Sequence, residues 1–235
     1  MKYITLVLLT FLLSCNNDDP TPNQSNIAFQ ISIQSQEDLE NTNFDQIDTI
    51  KGPLTIRNTD ITDFSFLSNI CVTGIIEIFG NESLVSLNGI ENLNCVSDLI
   101  ISNNSNLKNI QALDGLEISK NLVIKNNALE EIEPINSLST IEGQIFILEP
   151  TLKDYKLLRN LEEVNSLILG GSLTENLDEL DNLKIINSDI RITGNQMLIN
   201  YCGIKDALVN STQINFETLG NQTNPTISDI IDECN

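Results

Sequence analysis

The chain has 235 residues, 33 acidic against 12 basic side chains, a formal net charge of -21, and neither histidine nor tryptophan. So acidic a chain has no basic stripe to neutralise phosphates, and we expect no nucleic-acid partner. The lack of histidine excludes Ser-His-Asp and Cys-His nucleophiles and every zinc site that uses imidazole. Because 40% of the residues are hydrophobic, the chain can still build a sizeable core.

Residues 1–14 are typical of a secretory signal peptide, with Lys2 before a ten-residue apolar stretch from Ile4 to Leu13. That stretch is too short for a transmembrane helix, which needs about 20 residues. The ending Leu12-Leu13-Ser14-Cys15 resembles the lipobox of bacterial lipoproteins, whose cysteine is acylated and begins the mature chain. The alternative is an ordinary signal peptide with an incidental cysteine.

Residues 15–26 are polar, contain proline and have no large apolar side chain before Ile27, which predicts a flexible tether. The acidic pair Asp18-Asp19 is similar to the export signals of surface lipoproteins in the Bacteroidetes. We therefore expect secretion across the inner membrane and a lipid anchor at Cys15 as the sole membrane attachment. The expected location is the outer membrane, at the cell surface.

From residue 27 to residue 235 the sequence repeats a pair of apolar residues two positions apart, and we interpret this stretch as one domain. Such spacing puts both members on one face of a short β-strand. The second members of the pairs follow one another at intervals of 22 to 24 residues, and the pairs are Ile31/Ile33, Leu54/Ile56, Ile76/Ile78, Leu99/Ile101, Leu122/Ile124, Ile145/Ile147, Leu167/Leu169, Ile190/Ile192 and Ile214/Phe216.

Between the pairs, apolar residues recur about every third position, which is typical of a tight return path. One such unit cannot bury its own interior, so the units must stack on one another. The sequence therefore predicts an all-β solenoid, a parallel β-helix of about nine coils with 22–24 residues each.

Asparagine or glycine follows most of the predicted strands, at Asn58-Thr59, Gly80-Asn81, Asn103-Asn104, Asn126-Asn127 and Gly194-Asn195. Asparagine tolerates left-handed backbone and its amide can bond the turn. We expect a structural ladder of stacked amides, with a row of glycan-binding amides as the alternative. Glu149-Pro150 and Gly170-Gly171 interrupt the pattern and predict a local bend or an irregular loop.

The run from Leu99 through Asn103-Asn104 to Leu107 and Leu116, repeated along the chain, resembles the receptor L domain of insulin and epidermal growth factor receptors. It is most similar to bacterial lipoproteins that carry this domain alone, and the closing stretch from Asn224 to Ile231 resembles their ends. The resemblance covers about residues 27–235. It implies a right-handed parallel β-helix related to leucine-rich repeats, without receptor signalling or hormone-contact residues.

Apart from Cys15, four cysteines allow three disulfide connectivities, and a secreted setting favours pairing. Cys71 and Cys95 each precede a valine at the same position of the repeat. Equivalent positions in stacked coils lie about 5 Å apart, within the Cα range of a disulfide. We therefore predict the bridges Cys71–Cys95 and Cys202–Cys234. A four-cysteine zinc site is the alternative, but its close cysteine pairs are missing, so we expect neither metal nor cofactor.

The residues between and after the members of each pair are predicted to point away from the core. Several of these outward residues are apolar, and they lie together on one face of the predicted sheet. The candidate ligand-binding residues are Phe79, Ile100, Val123, Phe146, Leu148, Ile168 and Arg191. Exposed apolar patches usually mark binding surfaces, so we expect an unknown protein or glycan partner here. The alternative is that these side chains merely favour strand formation.

Two functions follow from this interpretation. The first is a non-catalytic cell-surface lipoprotein that presents the sheet face for recognition or adhesion. The second is a polysaccharide lyase or hydrolase, because parallel β-helices also support such enzymes with paired carboxylates. The predicted outward columns contain only Glu77 and Glu217, several coils apart, which disfavours the enzyme, and we assign no catalytic residue. The other acidic residues predict a solvated face rather than a calcium site.

Overall fold

The computed structural model describes residues 26–91, 96–115 and 118–234. Within these residues the chain is mostly β, with one nine-stranded parallel sheet and one three-stranded parallel sheet. Each strand of the larger sheet pairs with the next of its strands along the chain. The predicted parallel β architecture is confirmed at this level.

The larger sheet contains, in spatial order, β2 (Ile31–Ile33), β4 (Leu54–Arg57), β6 (Ile75–Phe79), β7 (Val96–Ser102), β8 (Ile118–Lys125), β9 (Thr140–Leu148), β10 (Glu163–Gly170), β11 (Ile185–Thr193) and β12 (Asn215–Leu219). The smaller sheet lies near the N-terminal end of the described chain. Its strands are β1 (Ile27–Ala28), β3 (Thr49–Ile50) and β5 (Cys71–Val72).

Short helices lie in most of the described segments between strands of the larger sheet, in line with the three-residue spacing. The α-helices are α1 (Gln36–Asn41), α2 (Lys205–Asn210) and α3 (Ile227–Glu233). The 3₁₀-helices are Phe44–Gln46, Ser65–Leu67, Gln111–Gly115, Lys156–Leu158, Asp178–Leu180 and Cys202–Ile204. We call each strand of the larger sheet, with the segment that follows it, a repeat.

A side chain two residues before a 3₁₀-helix often accepts the first N–H of that helix. The carboxylate of Asp154 accepts from the Lys156 N–H at 3.1 Å, and the amide oxygen of Asn109 accepts from Gln111 N–H at 2.7 Å. Asp63, Asn176 and Asn200 do the same. These bonds satisfy helix-terminal donors that have no partner inside the helix.

The core lies between the larger sheet and the return segments. Eight of the nine predicted pairs are buried and in the predicted register: Leu99, for example, pairs with Leu122, and Ile101 with Ile124. The ninth pair is wrong by two residues, because Ile190 pairs with Phe216 rather than with Ile214.

This shift arises in the last return segment. Helix α2 lies in it, and the distance between paired residues grows to 26, from Ile190 to Phe216. A shift of two keeps every side chain on its predicted face, since strand side chains alternate with period two. The outward columns change accordingly: Glu217, not Asn215, lies beside Arg191, and Asn215 lies beside Asp189.

Candidate functional site

The outward face of the larger sheet contains an uninterrupted row of apolar side chains. In strand order, Ile100 pairs with Val123, Val123 with Phe146, and Phe146 with Ile168. Glu77 precedes this row and Arg191 follows it. We call the row Thr55, Glu77, Ile100, Val123, Phe146, Ile168, Arg191 and Glu217 the central column. Its four apolar members are half-buried.

All seven predicted binding residues lie on this face, in two columns. Phe79 and Leu148 belong to a second column, where Phe79 pairs with Ser102 and Leu148 with Lys125. Two strands therefore separate these two apolar side chains. The continuous apolar surface is the central column, with Leu148 beside its middle.

An ion pair lies at each end of the central column. Arg57 Nη2 is 2.5 Å from Glu77 Oε1, and the Arg57 guanidinium lies 5.4 Å from the centre of the Phe79 ring. At the other end Arg191 Nε is 3.6 Å from Glu217 Oε2. Partly exposed pairs of this kind contribute about 0–1 kcal/mol, so they order the side chains more than they stabilise the fold.

Of the two outward glutamates, Glu217 lies on the edge strand β12 and Glu77 on β6, the third strand from the other edge. Glycosidase carboxylates work about 5–10 Å apart across one bond. Five strands separate Glu77 from Glu217, so the sheet face does not bring these two carboxylates to one reaction centre.

A polar row beside the central column was missed by the sequence reasoning. Asn121 Nδ2 donates to Asp98 Oδ1 at 2.5 Å, and the Gln144 N–H donates to Asn121 Oδ1 at 2.8 Å. Asn215 Nδ2 donates to Asp189 Oδ1 at 2.9 Å, and this bond helps to lower the pKa of Asp189. The available signal was a polar residue two positions before each of the last six central-column residues, namely Asp98, Asn121, Gln144, Ser166, Asp189 and Asn215.

The asparagines after the strands form a buried ladder. The Asn81 N–H donates to Asn104 Oδ1 at 3.0 Å, and the Asn104 N–H donates to Asn127 Oδ1 at 3.1 Å. The residue before each ladder asparagine has left-handed backbone, as at Asn103 with a φ of 56°. Because these amides are buried and bonded to each other, they support the structural interpretation over the glycan-binding one.

Glu149 ends the first part of the ladder. Its carboxylate is fully buried and accepts the Asn127 N–H at 3.0 Å and Asn127 Nδ2 at 2.8 Å. Burial raises the pKa of Glu149, and the bonds from Asn127 oppose this only in part. The ladder resumes where Ser172 N–H donates to Asn195 Oδ1 at 3.0 Å. Strands β9 and β10 remain paired up to Leu148 and Gly170, so the irregularity lies in the ladder.

The structure places Cys202 and Cys234 as a disulfide, with a Cα–Cα distance of 5.3 Å. Cys71 is exposed on β5, but its predicted partner Cys95 lies outside the described residues, so that bridge stays a prediction. Cys15 also lies outside them.

No group of three or more Cys, Asp or Glu side chains in the described residues is placed to hold a metal ion. Within the same residues, none of the helices has the length and apolar character needed to cross a membrane. A scan of known protein families and a search of curated proteins find no match to the chain. Its function is therefore inferred from its sheet face.

Proposed function

We propose that this protein is a non-catalytic cell-surface lipoprotein that uses its central column to recognise a protein or glycan. Its domain, residues 27–235, is a right-handed parallel β-helix of the receptor L type, anchored through a lipid on Cys15. Consecutive strands that pair in parallel about every 23 residues, with short helical turns between them, support this architecture.

The apolar run from Ile100 to Ile168 is the observation that supports recognition. Four consecutive strands each present an aliphatic or aromatic side chain at the same outward position. Polar residues would serve solubility better on such a face, and an apolar centre with a charged rim is the usual composition of a binding surface. The ion pairs Arg57–Glu77 and Arg191–Glu217 supply that rim.

The test replaces Ile100 and Phe146 together by aspartate and measures binding of the full chain to cell surfaces and to glycan and surface-protein arrays. We expect binding to fall at least tenfold, because two charges would have to be desolvated in the contact. The matched control is Val85→Asp with Ile199→Asp, two exposed apolar residues between strands of the larger sheet. Equal binding by both double variants would refute the proposal.

The anchor is tested separately. In the native cell, metabolic labelling with a radioactive fatty acid should label the chain, and Cys15→Ser should abolish that label and release the protein from the membrane fraction. A label that persists without Cys15, or a chain that stays in the membrane fraction, contradicts the proposed anchor.

A further inference from the structure

We infer that the central column is self-complementary and that the partner it fits best is a second copy of this chain. This inference rests on the proposed function, since it takes the same face as the docking surface. The order of side chains along the column is the starting observation. Four apolar residues stand between one acid, Glu77, and one base, Arg191.

Sheets that pack face to face lie about 10 Å apart, with their strands aligned to within about 30°. We place a two-fold axis halfway between two such faces. The axis is parallel to the strands and lies over the gap between β8 and β9. It reverses the order of the strands in the second copy. Val123 then faces Phe146 of the second copy, and Ile100 faces Ile168 of the second copy.

The charges match in the same arrangement. Glu77 lies as many strands before the centre as Arg191 lies after it, so each faces the other across the interface. Arg57 and Glu217 already bond these two residues within each copy. Each end of the interface thus becomes a quartet of alternating charge: Arg57, Glu77, then Arg191 and Glu217 of the second copy. A two-fold interface contains this quartet twice.

The other face-to-face two-fold axis runs across the strands and leaves their order unchanged. Every central-column residue would then face itself, including Glu77, Arg191 and Glu217. Like charges in contact cost several kcal/mol in an interface. The charge pattern therefore selects the arrangement that reverses the strand order.

The polar row is compatible with the two-fold arrangement that reverses the strand order. Asn121 would face Gln144 of the second copy, and both carry amides that donate and accept. Asp98 would face Ser166, and Asp189 would face Ile75, so no carboxylate meets another. In the second column, the aliphatic stem of Lys125 would lie along Leu148 while its ammonium reaches solvent.

The area of the sheet face determines how stable the dimer is expected to be. Strand β2 faces no strand of the second copy, so eight strands about 4.8 Å apart, with about five residues each at about 3.3 Å per residue, present about 600 Å² per copy. Both copies together bury about 1,200 Å², at the low end for specific interfaces. We therefore expect a reversible dimer whose population depends on concentration.

The experiment is sedimentation equilibrium of the full chain at a large excess of detergent micelles over protein. We expect a monomer–dimer equilibrium. Glu77→Arg and Arg191→Glu should each weaken it at least tenfold, because each puts three like charges in both quartets. Combining the two substitutions should restore the dimer, since the charges facing each other across the interface are again opposite. Glu179→Arg disrupts an ion pair with Arg159 away from this face and should leave the dimer unchanged.

A chain that is monomeric at every concentration overturns the inference, as does a dimer that neither single substitution weakens or that the combined variant fails to restore. Circular dichroism of each variant checks that it is folded. The proposed function is judged separately by the Ile100→Asp and Phe146→Asp variant. If the chain is monomeric yet this variant loses cell-surface binding, only the inference fails. If the variant alters neither binding nor self-association, both fail.

Discussion

At the residue scale, an asparagine in five of the repeats supplies hydrogen bonds to the backbone of a buried turn; these residues are Asn81, Asn104, Asn127, Asn195 and Asn221. The amide oxygen of Asn104 accepts the N–H of Asn81, and its Nδ2 donates to the carbonyls of Ile78 and Ser102 at 3.3 and 3.2 Å. A buried N–H without a partner costs about 1–3 kcal/mol, so the ladder removes a repeated penalty.

Asn104→Ala should lower the free energy of unfolding by about 1–3 kcal/mol, because the buried N–H of Asn81 loses its acceptor. Urea unfolding followed by circular dichroism measures the change. Asn106→Ala is the control, since Asn106 is exposed and bonds only the carbonyl of Glu82; its effect should stay within about 0.5 kcal/mol. Equal effects of the two substitutions would contradict the structural role of the ladder.

Glu149 makes the stability of the fold depend on pH. Burial raises the pKa of Glu149 in the folded chain above the ordinary value of 4.5, which applies to the unfolded chain. At a pH between the unfolded and the folded pKa, the folded chain therefore binds more protons than the unfolded chain. The contribution of Glu149 to the free energy of unfolding is therefore largest at acid pH, and it falls as pH rises through this window.

Glu149→Gln keeps an acceptor for Asn127 but cannot ionise. The free energy of unfolding of this variant, relative to the native chain, should therefore rise as the pH increases above 4.5. Urea denaturation across that range measures it, and Glu142→Gln, an exposed change on the same strand β9, controls for the lost charge. A constant difference across the range, or one of opposite slope, would show that burial of Glu149 does not govern the dependence.

At the element scale, the length of each return segment sets which residues pair. Steps of 22 or 23 residues keep the predicted register from β2 to β11. The last return segment contains α2, and β12 shifts by two residues. The disulfide Cys202–Cys234 then joins this segment to the end of α3.

Cys234→Ser should destabilise the C-terminal repeats by about 3–4 kcal/mol, because the bridge closes a 32-residue separation in the unfolded chain. Hydrogen exchange should speed up in β11 and β12 and stay unchanged in β4, since each strand contacts only its neighbours. Cys202→Ser should reproduce this pattern, because it removes the same bridge. Uniform acceleration along the whole sheet would contradict local closure.

At the scale of the whole molecule, acidic charge exceeds basic charge by 21. The described residues form seven ion pairs, and every one joins positions 20 to 26 residues apart, that is, neighbouring repeats. The stacking of repeats thus places bases against acids of a neighbouring repeat, while most acids remain without a basic partner.

Raising sodium chloride from about 0.01 M to about 0.3 M should raise the melting temperature, because salt shortens the Debye length from about 30 Å and screens the repulsion among the acids. Differential scanning calorimetry measures the shift. A variant with Glu162→Gln and Asp181→Asn, two exposed acids, should show a smaller shift. A melting temperature that falls with salt would mean that the seven ion pairs outweigh the repulsion.

Much of this architecture was predictable because its signals are local. Period-two alternation places Leu99 and Ile101 in the core without knowledge of any distant residue. The repeat length then brings Ile100, Val123, Phe146 and Ile168 together, because equal steps return the chain to the same position. The register of β12 was not predictable in the same way. The residues of that strand do not indicate how long the preceding return segment, which contains α2, has to be.

The amino-acid sequence by itself determined the parallel strands, the buried pairs and which side chains share the outward face, because these follow from spacing along the chain. Only the tertiary structure decided which charges meet. Arg57 with Glu77, Arg191 with Glu217, and the buried position of Glu149 under Asn127 join residues 20 to 26 apart. Such contacts depend on side-chain direction and on burial by neighbouring repeats, which spacing along one chain does not specify.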